Sequence, residues 1–384
     1  MHQTHPNRTP QRVNATGDRR AKFPDPRAQV ILTAIINEHF VTGEPVGSKV
    51  LADRFANQSG MSSATIRNVM GELEEMGMLE QPHTSAGRVP TDTGYRFYVD
   101  NLLGVLSISN DDLHRIGSEF GLGPLETPDE TVGTPDRLME RTSQLLSALS
   151  NNVGIVVSPS LASDRLQHIE FVSLSDNRIL VVLVSAPNIV HNRIIRTEIP
   201  FTRDELERTA NYLNKEFAGK SLSEIRADII ALMHEEKALF DKLLQTAVIL
   251  CSQSIEGEDL AGEVFVDGTS NILTGNDFAD LERLRELLRT IGEKSRLMQI
   301  LDECISRDRE AKGDVQVVIG SENRTPSLQN CTLISAPYRI AGSSAVGTLS
   351  VLGPTRIEYA RMISIVSYVA RTLEKMMSSD ITKN

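Results

Sequence analysis

The sequence predicts a multidomain α+β protein: a small N-terminal module of helices and a hairpin, then an antiparallel sheet domain interrupted by a mainly helical module. Three observations predict it. In the first hundred residues apolar side chains recur at helical spacing and then give way to two short extended arms around Ser85-Ala86-Gly87. From Gly154 the hydrophobic period changes to that of strands. Strand phrases return near Val315, Cys331 and Ala345 after a helical block, which describes one sheet split by an insertion.

The chain begins with a tail. Residues 1–24 carry Arg8, Arg12, Arg19, Arg20 and Lys22 against Asp18, with prolines and almost no apolar content. Such a segment cannot bury a core and is expected to be disordered. It reads either as a solvated tail or as a basic arm that touches phosphates.

Residues 25–103 make the first module. Asp25-Pro26 suits a helix cap followed by proline at the first helical position, and Val30, Ile31, Ala34, Ile35 and Phe40 supply an amphipathic helix to Thr42, stopped by Gly43. Ser48 is placed to cap a short second helix, KVLADRF, with Val50, Leu51 and Phe55 turned inward. The Asn57–Gly60 turn leads to Ser62 and Ser63, two hydroxyl residues that can cap a third helix, whose buried face is Ile66, Val69, Met70 and Leu73 and whose end is Gly77. Leu79 to Thr91 then forms two arms of a hairpin, turned by Gly87. Three helices and a wing in this order are a winged helix-turn-helix.

The polar face of the third helix carries the candidate chemistry. Ser63, Ala64, Thr65, Arg67 and Asn68 lie away from the apolar stripe in the first two turns, where a helix entering the major groove makes its base contacts. Arg67 has the donors to read guanine, or to hold a phosphate, and Asn68 has the donor and acceptor to read adenine; Ser62, Ser63 and Thr65 are shorter partners. His83, Thr84, Ser85 and Arg88 in the wing, with Ser48 and Lys49 at the start of the second helix, are placed for backbone or minor groove. Tyr95, Phe97, Tyr98 and Val99 read as packing beneath the wing, and only Arg96 in that phrase is assigned to the nucleic-acid set.

Residues 104–150 are a connector: Asp111–Phe120 is helical in pattern, Gly121–Pro135 is rich in glycine, proline, threonine and acid, and Leu138–Leu149 is amphipathic. Residues 151–200 hold GIVVS, LQHIEFVSL, RILVVLVSA and IVHNRIIRTEI, read as one antiparallel meander with turns at Ser175-Asp176-Asn177 and Pro187-Asn188. Residues 201–290 are the inserted helical block. Thr202 with Glu205 and Ser221 with Glu224 are capping boxes, the second helix extends toward Ser254, VFVDG at Val264 is a lone strand phrase, and a further helix covers Leu281–Arg289. Residues 291–384 return to the sheet, with helices at Lys294–Arg307 and Tyr359–Met377.

Composition excludes several classes. Hydrophobic content of 40% and charged content of 24% are those of an ordinary soluble protein, no apolar run reaches membrane-span length, and no secretory leader is expected. Cys251, Cys304 and Cys331 are far apart, which reads as reduced structural thiols in the cytoplasm. The net charge of −11 falls entirely outside residues 1–100, where eleven basic residues balance eleven acidic ones, so the acidity does not oppose a nucleic-acid surface in the first module.

No phosphate loop, zinc helix or nucleophile elbow is present, so no enzymatic activity, cofactor or metal is assigned. His168 and His191 fall in strands and read as hydrogen-bonded structural residues. Gly347 and Gly353 in GTLSVLGPTR read as turn glycines.

The run SSATIRNVMGELEEMG followed by QPHTSAGRVPTDTGYRFYVD closely resembles the heat-inducible transcription repressor HrcA family. The likeness covers Pro26–Leu103 and returns in VIGSEN at Val318 and GTLSVLGPTRIEY at Gly347. It implies a GAF-like sheet domain, dimer contacts in the insertion, and a homodimer that represses chaperone operons at the CIRCE inverted-repeat operator. It also implies that the GroEL chaperonin keeps the repressor active. The alternative is a small-molecule sensor or enzyme whose winged helix makes protein contacts, with Tyr338, Arg339 and Glu322 lining a pocket of the GAF-like domain.

Overall fold

The computed structural model describes residues 23–55, 61–120, 135–159, 164–185, 189–233, 246–247, 249–250, 262–274, 280–307, 315–339 and 346–379. The basic tail up to Lys22, the Asn57–Gly60 turn, the linker at 121–134, the Pro187-Asn188 turn, the extension toward Ser254 and Cys251 lie outside them. The chain divides into two compact units, one ending at Leu102 and the other beginning at Leu103.

In the first unit α1 spans Pro26–Thr42, with Asp25 accepting from the Ala28 amide at 2.7 Å and Gly43 at φ +71° closing on the His39 carbonyl. Its buried face is Ala28, Ile31, Leu32, Ala34, Ile35 and Ile36. Leu32 and Ile36 swing the stripe away from Val30, which is 50% exposed and not the inner residue the sequence pattern suggested.

Helix α2, Ser48–Phe55, buries Leu51 and Phe55 but leaves Val50 49% exposed, since a two-turn helix has room for one inner row. The expected Ser48 cap is also corrected. Gly47 accepts the first helical amide, and the Ser48 hydroxyl instead meets Ser63 Oγ at 3.1 Å, joining the starts of two helices.

Helix α3, Ser63–Glu75, is capped by Ser62 Oγ on the Thr65 amide and buries Ile66, Val69, Met70 and Leu73. Gly77 takes φ +72°, its amide bonds Glu74 O, and Met78 N bonds Leu73 O, which is the paired pattern of a Schellman ending. The chain then enters β1, Leu79–Glu80, antiparallel to β2, Val89–Pro90. Thr91 caps α4, Asp92–Phe97, which runs on as a wider π turn to Leu102 and buries Tyr95, Phe97 and Tyr98.

The second unit opens with α5, Asn110–Glu119, and α6, Pro135–Ser150. Its main sheet has five antiparallel strands in the order β7-β3-β10-β9-β8: β3 Val153–Val157, β7 Val264–Asp267, β8 Gln316–Ile319, β9 Cys331–Arg339 and β10 Val346–Pro354. A second sheet holds β4 Leu166–Ser173, β5 Arg178–Ser185 and β6 Ile189–Arg196. The four-strand meander is therefore corrected: β3 does not pair with β4 but lies between β10 and β7.

The burial pattern supplies the reason. All five residues of β3 are buried, which requires cover on both faces, whereas β5 alternates between buried and partly exposed positions and needs cover on one. The VFVDG phrase, read inside the helical block, is likewise the edge strand β7 of the main sheet.

Helices α7, Arg203–Phe217, and α8, Leu222–Met233, cover the inner face of the three-stranded sheet, where Ile169, Phe171, Ile179, Val181, Leu183 and Ile195 meet Leu206, Leu213 and Ile225. Both capping boxes form, with Thr202 N on Glu205 Oε2 at 3.0 Å and Ser221 N on Glu224 Oε2 at 2.8 Å. A short α9, Thr269–Thr274, follows β7. Helices α10, Leu281–Gly292, and α11, Lys294–Arg307, then pack Leu287, Ile291, Leu297 and Leu301 against Val153, Ile155, Leu333 and Leu352 of the main sheet.

Helix α12, Tyr359–Ser379, carries Arg361, which bonds Asp112 on α5 through two nitrogens at 2.8 and 3.1 Å. That guanidinium, with help from the Ser109 hydroxyl, holds the Asp112 carboxyl below its usual value against the opposing effect of burial.

Candidate nucleic-acid interface

The first two turns of α3 present a polar face because the same helical period that buries Ile66, Val69, Met70 and Leu73 turns the intervening residues outward. Arg67 and Asn68 are exposed and, among the described residues, have no hydrogen-bond or ionic partner. Ser62 Oγ lies 3.0 Å from Thr65 Oγ1 at the helix start. The Ser48–Ser63 contact brings the beginning of α2, with exposed Lys49 beside Ser48, to the same end of α3. His83, Thr84 and Ser85 are exposed at the hairpin tip, where Gln81 Nε2 donates to the carbonyls of Thr84 and Ala86 at 3.0 Å.

Two arginines assigned to this set are otherwise engaged. Arg88 places both Nε and Nη2 on Glu74 Oε2 at 2.9 Å, at the far end of α3. Arg96 sits on α4 and pairs with Asp100 one turn later at 3.2 Å.

The hairpin is seated by residues the sequence reading assigned to other roles or passed over. Val46 and Arg88 exchange both backbone hydrogen bonds at 2.9 Å, an isolated bridge that pins the hairpin base to the α1–α2 loop. Gly87 lies against that loop so closely that a Cβ would collide with the Val46 carbonyl, and its φ is not positive. Its job is close approach, not the turn expected of it. Gly94 has the same relation to the Met78 carbonyl, where Thr91 N also bonds Met78 O at 3.1 Å and Thr91 Oγ1 bonds Gly77 O at 2.6 Å. The glycines in SAGRVPTDTG were the available signal; the backbone they approach was invisible in sequence.

In the second unit the suggested ligand group does not assemble. Tyr338 and Arg339 end β9 at the side where Val346 pairs with Arg339, whereas Glu322 follows β8 beyond the opposite end, where Ile319 pairs with Thr332. Six residues of strand separate them, about 20 Å. Tyr338 is buried, donates to Val157 O at 3.1 Å, and has its phenol pushed far up by that burial. Glu322 Oε2 accepts from the Ile319 amide at 2.8 Å.

Gly347 and Gly353 lie within β10, not in turns: a Cβ at the first would strike the Tyr338 ring, and at the second the Asn152 side chain. Asn323 of VIGSEN is buried and donates to Gly320, Leu328 and Cys331 carbonyls, so that motif is a loop brace. His168 is exposed on β4 rather than packed, beside an irregularity in the ladder, and the His191 side chain lies outside the described set. Burial pushes the Cys331 thiol up to about 12. Among the described residues no three His, Cys, Asp or Glu side chains gather as a metal site, and no helix is long and apolar enough to cross a membrane.

Comparison with known proteins defines the class as a transcription repressor rather than an enzyme. The model for the HrcA protein C terminal domain matches residues 136–363. The heat-inducible transcription repressor HrcA of Geobacter sulfurreducens is 40% identical over 354 residues, covering 92% of this chain and 98% of that protein. Its namesake in Xanthomonas euvesicatoria pv. vesicatoria is 38% identical over 359 residues, 94% and 97% of the two chains. A crystal structure described as that of a hypothetical protein shares the fold at a TM-score of 0.57 and 21% identity, covering 93% of this chain and 99% of that one. This chain belongs to the heat-inducible transcription repressor HrcA family.

Proposed function

We propose that the first unit is a winged helix-turn-helix that lays α3 in the DNA major groove, and that the chain represses chaperone operons by binding the CIRCE inverted repeat as a dimer. The observation that carries the reading is the state of Arg67 and Asn68. Arg54, Arg88 and Arg96 of the same unit are each paired with a carboxylate; among the described residues Arg27, at the start of α1, and Arg67 are exposed and uncommitted, and only Arg67 sits with an equally uncommitted Asn68 on the polar face of α3. Those are the side chains suited to bidentate reading of guanine and adenine. Ser48, Lys49, Ser62, Ser63, Thr65 and the hairpin tip His83–Ser85 flank them as backbone contacts.

The dimer reading draws support from the outer face of the three-stranded sheet. Val172, Val190 and Ile194 are 40%, 60% and 56% exposed, and register sets Val172 and Ile194 on either side of Leu180. An apolar row of this kind is a surface that a second copy would cover. The strand order also favours an inserted module that begins with β4, not at residue 201, and closes before β7, set in a GAF-like domain built on the five-stranded sheet. Regulation by the GroEL chaperonin rests on the family resemblance.

The test is a binding titration on the CIRCE repeat and on a scrambled duplex at physiological salt, with and without chaperonin. The expected result is a preference of about a thousandfold or more for the repeat, with a larger active fraction when chaperonin is present. Equal weak binding to both duplexes would sink the reading.

A further inference from the structure

We propose that Glu74 and Arg88 form a brace that fixes the hairpin on α3, making Arg88 a positioning residue and not a phosphate contact. The proposal rests on the reading of α3 and the hairpin as a DNA-binding pair. Four observations meet at Arg88. Its backbone exchanges two hydrogen bonds with Val46. Its neighbour Gly87 has no space for a side chain against the same loop. Its side chain is four-fifths buried, with Nε and Nη2 both on one oxygen of Glu74. Glu74 in turn belongs to the last turn of α3, just where the Gly77 and Met78 amides close the helix.

Hairpin base, α1–α2 loop and α3 are thus tied at one residue. A hairpin paired over only two residues on each arm has little stiffness of its own. Its direction relative to α3 must come from outside the ladder, and the Glu74–Arg88 pair supplies it together with the Val46 bridge. The consequence is geometric: α3 and the tip at His83–Ser85 can meet one duplex only if the angle between them is held before binding, which spares the cost of ordering the hairpin on contact. A phosphate-binding Arg88 would instead have to leave Glu74 and expose that carboxylate beside the DNA.

Four full-length variants decide between these roles: Glu74→Ala, Arg88→Ala, the two together, and the charge exchange Glu74→Arg with Arg88→Glu, which leaves net charge unchanged. Each is titrated on the inverted repeat across a salt series, and amide hydrogen exchange at Val46 and Arg88 is followed without DNA. A brace predicts that either single change lowers affinity about fivefold with an unaltered salt slope. The double change is no worse than either single one, the exchange variant recovers most of the loss, and both amides exchange faster in the single variants.

The proposal is overturned if Arg88→Ala lowers the salt slope by about one while Glu74→Ala leaves affinity unchanged or tighter. Unchanged amide exchange in Glu74→Ala overturns it too, and that readout holds even if the wild-type chain fails to prefer the repeat, a result that would count against the DNA reading itself.

Discussion

Replacing Arg361 with alanine tests a buried, two-bonded ion pair within the second unit. The Asp112 side chain is 2% exposed and takes two guanidinium bonds at 2.8 and 3.1 Å as well as one from Ser109 at 2.7 Å. Charge-assisted bonds contribute about 1.5–3 kcal/mol each in a buried setting. Arg361 itself stays 39% exposed, so solvent screening reduces the pair to about 2 kcal/mol together. In a unit of this size that corresponds to an apparent Tm roughly 3–4 °C lower.

The pH dependence follows from the sign of the shift. The folded Asp112 carboxyl lies below its ordinary 3.8, so the pair's contribution is complete above that value and is lost as pH falls through the lowered one. Thermal unfolding of wild type and Arg361→Ala from pH 7 downward should show a constant gap that closes only in acid, with faster amide exchange in α5. An equal Tm at pH 7, or a gap that persists undiminished below the lowered value, would refute the reasoning.

Arg67→Ala and Asn68→Ala should each lose about 1–3 kcal/mol of discrimination between the repeat and single-base variants of it, measured by competition binding, with little change on random DNA. Gly87→Ala should unseat the hairpin base, because the added Cβ collides with the Val46 carbonyl; faster exchange of the Val46 and Arg88 amides and weaker operator binding are expected, with helix content unchanged by circular dichroism. Gly347→Ala should destabilise the second unit by about 1–3 kcal/mol through overpacking against Tyr338, read as a lower denaturant midpoint. Cys331, with its thiol raised to about 12 by burial, should resist alkylation at pH 8 until denaturant is added.

How far the fold was legible in sequence depended on whether a residue's job is local. Helix starts were read closely: Asp25, Thr202 and Ser221 each accept the amide their side chain is spaced to reach, and of the two hydroxyls before α3 it is Ser62 that does so. Gly43 and Gly77 take the positive φ that helix ends require. Pairing between distant strands was not legible. GIVVS and VFVDG lie more than a hundred residues apart and are neighbours, while GIVVS and LQHIEFVSL are close in sequence and lie in different sheets.

Glycine was ambiguous for a related reason. A residue that turns the chain and a residue that lets a distant backbone approach look identical in one dimension, so Gly87, Gly347 and Gly353 were given turns they do not make. At the candidate interface the exposed face of α3 followed directly from helical period, but the engagement of Arg88 by Glu74 required knowing that the hairpin folds back across the end of that helix.

We propose that two copies of this chain read an inverted repeat through α3. The mass and affinity of the protein–DNA complex on the intact repeat and on an isolated half-site test it most directly. Two chains on the repeat, with affinity for the half-site weaker by orders of magnitude, is the result predicted. One chain per duplex, with equal affinity for repeat and half-site, would contradict it.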